Sequence, residues 1–313
     1  MKAGRIHKFG GTEVIAIDEV PRPTPDRGEL IVRVAAAGVG PWDALIREGK
    51  SVVNLELPII LGSDLAGIVD SVAPGVTHFS PGDEVYGVTN KDFCGAYAEY
   101  AVAKVQMIAP KPKSLSLTDA ASVPVVAVTA WQMLFDYAKM KSGQAVLIHG
   151  AAGNVGAYAV QLAKHAGLTV FATAGPDDLE FVRDLGADNV IDYTTTKFET
   201  AVPPVEAVID TVGGDTQSRS FTVLKPGGIL VSVVSPFPGE PPPPKGSRSV
   251  FFLVDVTTER LNALSKLFDS GELSSNVGTV LPLADARRAH ELLAGAPHKR
   301  GKIALQMNTR MLL

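Results

Sequence analysis

The sequence predicts an α/β protein: a β-rich first part followed by a doubly wound parallel sheet. Three observations carry this expectation. Up to about residue 120 the apolar runs are short and bounded by Gly and Pro. Beyond that point strand and helix patterns alternate, which implies parallel βαβ units. One of those strands runs directly into a glycine-rich loop that opens a helix.

In the first part, apolar runs fall at residues 13–20, 30–39, 65–72, 84–88 and 96–108, separated by the turn-rich stretches 21–28, 73–75 and 80–83. Turns this frequent predict short strands closed into a small barrel. Residues 118–137 are expected as a helix, with Thr118 as its N-cap and Pro124 as an interruption. Strands follow at 144–149, 169–174, 189–193, 206–212, 229–234 and 250–256. Helices are expected at 154–166, 176–185 (opened by Pro176), 215–224 and 258–269, and a last helix and strand at 283–293 and 302–307. Residues 241–244, all Pro, read as a stiff exposed turn.

Composition narrows the function classes. The 313 residues carry a formal net charge of −4, which argues against a nucleic-acid surface. Gly and Pro number 30 and 22, and 46% of residues are hydrophobic, enough for sizeable cores. The one cysteine, Cys94, excludes an intrachain disulfide and a zinc site built from several thiolates. It is expected as inert packing. The longest nearly apolar stretch, 121–133, falls short of the ~18 residues of a membrane span, and the first residues lack the apolar core of a secretory signal. A soluble protein is expected, with the cytoplasm as its location.

The most informative segment is Ala145-Val-Leu-Ile-His-Gly150-Ala-Ala-Gly153-Asn-Val-Gly156, leading into a helix. A strand ends, glycines permit a tight turn, and free N–H groups at a helix start face a would-be pyrophosphate. Gly153 would admit close approach of phosphate, and Gly156 close packing of helix on strand. No Gly-Lys-Ser/Thr follows, so this is not a Walker loop. An acid about twenty residues past such a loop holds the ribose 2′-hydroxyl of NAD. Here the second strand ends Thr173-Ala-Gly175-Pro with no acid at its tip, which favours NADP. Asp177 and Asp178 lie just beyond, and Arg183 and Tyr193 are within reach of a phosphate.

Together with this loop, several motifs resemble the medium-chain dehydrogenase/reductase superfamily, in its zinc-free quinone-oxidoreductase branch. They are Ala36-Ala-Gly-Val-Gly-Pro-Trp-Asp43 with Ile46-Arg-Glu-Gly49, Pro58-Ile-Ile-Leu-Gly-Ser-Asp64-Leu-Ala-Gly67 and Pro81-Gly-Asp-Glu-Val85. Gly95-Ala-Tyr-Ala-Glu-Tyr100, Thr129-Ala-Trp, Leu185-Gly-Ala-Asp188, Ile191-Asp-Tyr193 and Leu224-Lys-Pro-Gly-Gly228 complete the series. The resemblance spans essentially the whole chain. It implies a GroES-like β-barrel catalytic domain (1–122, resuming at 259–313) interrupted by a Rossmann NADP-binding domain (123–258), with the active site in the cleft between them.

The zinc alcohol dehydrogenases of the superfamily carry a Cys near position 40 and Gly-His-Glu in the second motif, where this chain has Gly40 and Gly62-Ser63-Asp64. No zinc is expected. An alcohol needs a Lewis acid or an acid–base relay before hydride leaves its carbon. A quinone or enone is already electrophilic and needs chiefly positioning. The expectation is therefore an NADPH-dependent quinone or enone reductase, against the alternative of a non-catalytic NADP-binding relative.

By resemblance, Ala152, Gly153, Val155, Thr173, Gly175 and Tyr193 would contact the adenosine diphosphate half of the cofactor. Val126, Thr129, Val212, Gly213, Val234 and Ser235 would line the path to nicotinamide; Phe251, Phe252 and Val254 would close it, and Lys302 would reach phosphate. Relatives often have Asn at Gly40, Lys at Leu179 and Tyr at Lys50, and the last absence argues against an enoyl-thioester reductase. Asp43, Asp64, Lys50, Tyr86 and Tyr97 are the candidate proton donors. Asp43 and Asp64 head that group as acid or base, with loop orientation and capping as their structural alternatives. Trp42 and Phe93 could flank a flat substrate. The apolar strand 250–256 is expected to be covered on both faces or to pair edge to edge in a homodimer.

Overall fold

The computed structural model describes residues 1–53, 55–236 and 246–307; the proline run 241–244 lies outside them. The chain divides into two units, Met1–Val125 with Val256–Leu313, and Val126–Asp255.

The first unit opens with β1 (Lys2–Ile6), β2 (Ile15–Glu19), β3 (Glu29–Val39), α1 (Pro41–Arg47), β4 (Ile59–Ile60), β5 (Asp64–Val72), β6 (Glu84–Val88), β7 (Tyr100–Lys104), β8 (Ile108–Pro110) and α2 (Leu117–Ala121). The run 96–108 is thus two strands, split by a 3₁₀ turn at Val105–Met107. Helix α1, not anticipated among these strands, has Gly40 as N-cap and Pro41 at its first position, where a missing N–H costs nothing. The expected helix 118–137 breaks into pieces. Ser116, not Thr118, caps α2 by accepting the Asp119 N–H at 3.1 Å. Then α3 (Pro124–Trp131) restarts at the proline, and the π-helical Gln132–Tyr137 finishes the run.

The second unit carries β9 (Ala145–His149), α4 (Asn154–His165), β10 (Thr169–Ala174), α5 (Leu179–Asp184), β11 (Asn189–Asp192), α6 (Phe198–Ala201), β12 (Val205–Asp210), α7 (Gly214–Ser220), β13 (Leu224–Ser232) and β14 (Arg248–Phe251). All pairings are parallel, in the order β11-β10-β9-β12-β13-β14. Counted along the chain, this is third-second-first-fourth-fifth-sixth, the doubly wound order whose switch point between β9 and β12 opens a ligand crevice at the strand carboxyl ends. The sixth strand is a correction. It spans Arg248–Phe251 rather than 250–256 and sits at the sheet edge with Phe251 exposed. Its apolar sequence therefore does not mark burial on both faces. Leu147, Phe171, Ile191, Val208 and Leu230 form this unit's core.

The chain then returns to the first unit with α8 (Thr258–Asp269), β15 (Val277–Pro282), α9 (Ala286–Leu293) and β16 (Lys302–Gln306). One sheet runs β2-β1-β4 and the other β15-β16-β3-β5-β6-β8, with β7 also paired to β3. The barrel of the expectation takes the form of these two sheets around one core, which includes Ile6, Ile15, Leu30, Leu65, Val85 and Leu305. Register positions the site: Ile303 faces Val39, Ala37 faces Leu65 and Asp64 faces Val88. Lys302, Gly40 and Asp64 thereby gather at one end of the long strand β3. Among the described residues no helix is long and apolar enough to cross a membrane.

Candidate functional site

In the second unit, β9 delivers His149 to a turn in which Gly150 has φ +67°. The Gly153 N–H donates to the Gly150 carbonyl at 3.0 Å, and Gly153 caps α4 with no side-chain acceptor over the helix start. Those amide donors are thus open to an anion. A Cβ on Gly156 would overlap the Gly150 carbonyl oxygen and come within 2.8 Å of Ala151 Cα, so glycine is required for helix-on-strand packing. A Cβ on Gly153 would meet only the Gly150 oxygen, at 3.2 Å. Packing fixes Gly156, whereas the open face of the loop sets Gly153. These residues fit a dinucleotide phosphate.

The other expected cofactor residues of this unit lie largely at the neighbouring strand ends. Ala152 and Val155 are partly exposed beside Gly153. Gly175 follows β10, and a Cβ there would stand 3.5 Å from the Tyr193 hydroxyl; Tyr193 is 64% exposed. Thr173 is buried, with its hydroxyl 3.0 Å from His149 Nδ1. His149 Nε2 lies 3.0 Å from Ser220 Oγ, and burial holds this histidine neutral, pushed down to about 4. Val212 and Val234 are half-exposed and Gly213 has φ +76°. Buried Asp210 holds this turn by accepting the N–H groups of Val212 at 3.0 Å and Gly213 at 2.8 Å. Sequence reasoning passed over Asp210 and His149, although an Asp three residues before a Gly at a strand end signals such a turn. Ser235 accepts from Gln217 through its carbonyl at 3.0 Å. Val126 and Thr129 are buried in α3, Val254 is partly buried, and Phe252 is buried and stacked on Tyr137 at 4.3 Å.

In the first unit the structure brings Asp43, Asp64 and Lys302 into one buried charge cluster, with side chains 0%, 0% and 2% exposed. Asp43 Oδ2 accepts the Gly40 N–H at 2.8 Å, closing the start of α1, and the Tyr97 hydroxyl at 3.1 Å. Burial pushes its carboxyl up to about 7 against these donors and the nearby Lys302. Asp64 Oδ1 accepts the Val125 N–H at 3.0 Å. Burial raises its carboxyl too, opposed by Lys302. These contacts are of the kind the structural alternatives require, a closed helix start and an anchored backbone amide. Lys302, expected at a cofactor phosphate, is committed elsewhere: Nζ lies 3.3 Å from Asp64 Oδ2 and 4.2 Å from the centre of the Trp42 ring.

The remaining candidates are also engaged. Trp42 Nε1 donates to Ser63 Oγ at 3.0 Å, and Phe93 packs against the core. Tyr86 donates to the Leu261 carbonyl at 2.7 Å, and Lys50 pairs with Glu48 at 3.0 Å. Burial pushes the Cys94 thiol up to about 11, which leaves little thiolate for nucleophilic chemistry.

The positions of the zinc ligands in alcohol dehydrogenases do not fit a metal here. Gly40 has no side chain, the Ser63 hydroxyl is taken by Trp42, and the Asp64 carboxylate faces an ammonium. Among the described residues no three His, Cys, Asp or Glu side chains gather as metal ligands.

Comparison with known proteins agrees with this architecture. Residues 26–113 match the alcohol dehydrogenase GroES-like domain, and residues 185–305 match a family described as zinc-binding dehydrogenase. The quinone oxidoreductase of Sus scrofa is 32% identical, with 97% of each chain covered. The 2-methylene-furan-3-one reductase of Solanum lycopersicum is 34% identical over 87% of this chain and 70% of its own. Among solved structures, the quinone oxidoreductase from Coxiella burnetii superposes with a TM-score of 0.91 at 36% identity, covering 98% of this chain and 99% of its own. A mycobacterial protein complexed with NADPH gives 0.86 at 31% identity, covering 98% and 99%. With these relatives and the doubly wound nucleotide unit, the chain belongs to the medium-chain dehydrogenase/reductase superfamily, in its quinone oxidoreductase-like branch, and is an oxidoreductase of that family.

Proposed function

We propose that the protein transfers hydride from NADPH to a quinone, an enone or a similarly activated acceptor, without zinc. The observation that carries the reading is the cradle at the carboxyl ends of β9, β10 and β12. Its α4 amides are open to a pyrophosphate, and its second strand ends at Gly175 with no carboxylate to repel a 2′-phosphate. The quinone- and enone-reducing relatives and the NADPH-bound structure support the same assignment.

Gly153 and the first turn of α4 would hold the diphosphate, with Thr173, Gly175 and Tyr193 at the adenosine side. Val212, Gly213, Val234 and Ser235 would border the nicotinamide, their turn fixed by Asp210. Bound NADPH supplies a hydride with its electron pair. A conjugated acceptor takes hydride at carbon while its oxygen takes up charge and then a proton, so no Lewis acid is required. Asp43 and Asp64 act in this reading as positioning residues: one closes the start of α1 and the other anchors the Val125 amide. Among the described residues β14 pairs on one side only, and exposed Phe251 and Leu253 flank it, which supports a homodimer. Light scattering that finds a monomer throughout the micromolar range would oppose that part.

The test is steady-state NADPH oxidation with 1,2-quinones, 1,4-quinones and short enones. Turnover with at least one class is expected. Tight NADPH binding without turnover would favour the non-catalytic alternative and overturn the assignment.

A further inference from the structure

The Lys302–Asp64 pair carries more than packing. Lys302 enters from β16, Asp64 from β5 and the Trp42 ring from α1, all at the same end of the first unit's larger sheet. Lys302 Nζ and Asp64 Oδ2 face each other at 3.3 Å, and among the described residues neither makes a hydrogen bond. Only charge attraction and the Trp42 π-face compensate the lost hydration of the ammonium. The remaining oxygen of Asp64 is spent on the Val125 amide at the start of α3.

We propose that the Lys302 ammonium is the resident cation of this unit: it holds Asp64 ionised at the place where zinc-binding members of the superfamily carry a metal, and through Asp64 it positions the Val125 amide. The inference rests on the zinc-independence of the proposed function and not on the identity of the acceptor. Its test therefore reads folding and metal content rather than turnover, so that failure of one does not imply failure of the other.

The groups facing the pair are Asp43 from α1, itself bonded to Tyr97, and beyond Tyr97 the buried His290 of α9 with Arg47. Removing one member of a buried pair strands the other charge, whereas removing both is often tolerated. The two single variants should then carry opposite pH signatures. In Lys302→Met the Asp64 carboxyl loses the cation that opposes the upward push of burial, so its folded pKa rises further above the unfolded value and the stability deficit against wild type grows as pH rises. In Asp64→Asn the ammonium loses its nearest anion and the fold disfavours its charge, so the deficit shrinks as pH rises towards the unfolded lysine value.

Thermal unfolding from pH 5.5 to 9 measures both slopes, each expected to change the Tm deficit by about 4 °C or more across the range. The double variant Asp64→Asn with Lys302→Met should show neither slope and melt above either single variant at its worst pH, which keeps the test open if one single variant fails to fold. Parallel, pH-independent deficits in all three would overturn the proposal. So would one tightly held zinc per chain in wild type after zinc loading and desalting, lost in Asp64→Asn; sub-stoichiometric zinc in both is expected.

Discussion

Arg47 and His290 meet inside the first unit with Nη1 and Nδ1 2.9 Å apart, both side chains buried. A guanidinium only donates, so His290 accepts at Nδ1 and carries its proton on Nε2, which faces the Tyr97 oxygen at 3.4 Å. The Tyr97 hydroxyl in turn donates to Asp43. The chain Arg47, His290, Tyr97, Asp43 links α9 to the start of α1 and is satisfied only with His290 neutral.

Burial, and then the charge of Arg47, push His290 down to about 4. A folded pKa below the unfolded value of ~6.5 means stability that is present above that value and lost as pH falls through the folded one. His149 acts with the same sign. Each histidine should therefore contribute a loss of stability in urea unfolding as pH falls from 6.5 to 4, against the opposite contribution of Asp43. His290→Gln keeps an acceptor for Arg47 and a donor for Tyr97, and should flatten that fall by on the order of 2 kcal/mol. An unchanged slope would contradict the neutral assignment.

Asp43 has the opposite sign. Its folded pKa of about 7 lies above the unfolded carboxylate value, so its ionisation penalises the fold as pH rises from about 4 to 7. Asp43→Asn retains an acceptor for Gly40 and Tyr97, and its stability relative to wild type should improve across that interval. Asp43→Ala removes the acceptor and should cost about 2–4 kcal/mol near pH 4, with the deficit narrowing as pH rises to 7. Since Asp43 positions rather than transfers protons in this account, Asp43→Asn should keep kcat within a few-fold in stopped-flow assays.

The glycine loop separates two roles. Gly156→Ala drives a methyl group into the Gly150 carbonyl and should lower Tm markedly whether or not cofactor is present. Gly153→Ala has space for the methyl with a small adjustment, so the fold should survive. The methyl would then stand on the face offered to phosphate, and NADPH affinity measured by fluorescence titration should fall about tenfold, or ~1.4 kcal/mol.

Cofactor choice turns on the end of β10. Gly175 has extended backbone (φ −73°, ψ 163°) that any residue adopts, and a Cβ there meets only the Tyr193 hydroxyl and the ring edge beside it at ordinary contact distance. Gly175→Asp should fold normally and place a carboxylate where a 2′-phosphate would lie. The ratio of kcat/KM for NADPH over NADH should drop at least about tenfold, the scale of a like-charge conflict.

Much of the second unit was legible because its signals are local. Residues 169–174 are a short β-rich run following a glycine, residues 154–165 place apolar side chains at helical spacing, and the glycine spacing of the loop reports one turn and one helix start. The barrel half was harder. Strands as short as Ile59–Ile60 carry too few residues for a pattern, and α1 hides behind a glycine cap with no side-chain signal. The roles of Asp43, Asp64 and Lys302 depend on the register of β16 against β3 and of β3 against β5. That register is a tertiary fact, which no spacing in the chain reports. The apolar run at 250–256 misled for a related reason: an edge strand with an exposed face has the same composition as a buried one.

The most direct measurement is a single-turnover stopped-flow mix of chelator-treated protein, loaded with NADPH, against a 1,4-quinone. The account predicts NADPH oxidation with the same rate constant before and after chelation. Loss of oxidation on chelation and its recovery with added zinc, or bound NADPH that survives unoxidised, would contradict it.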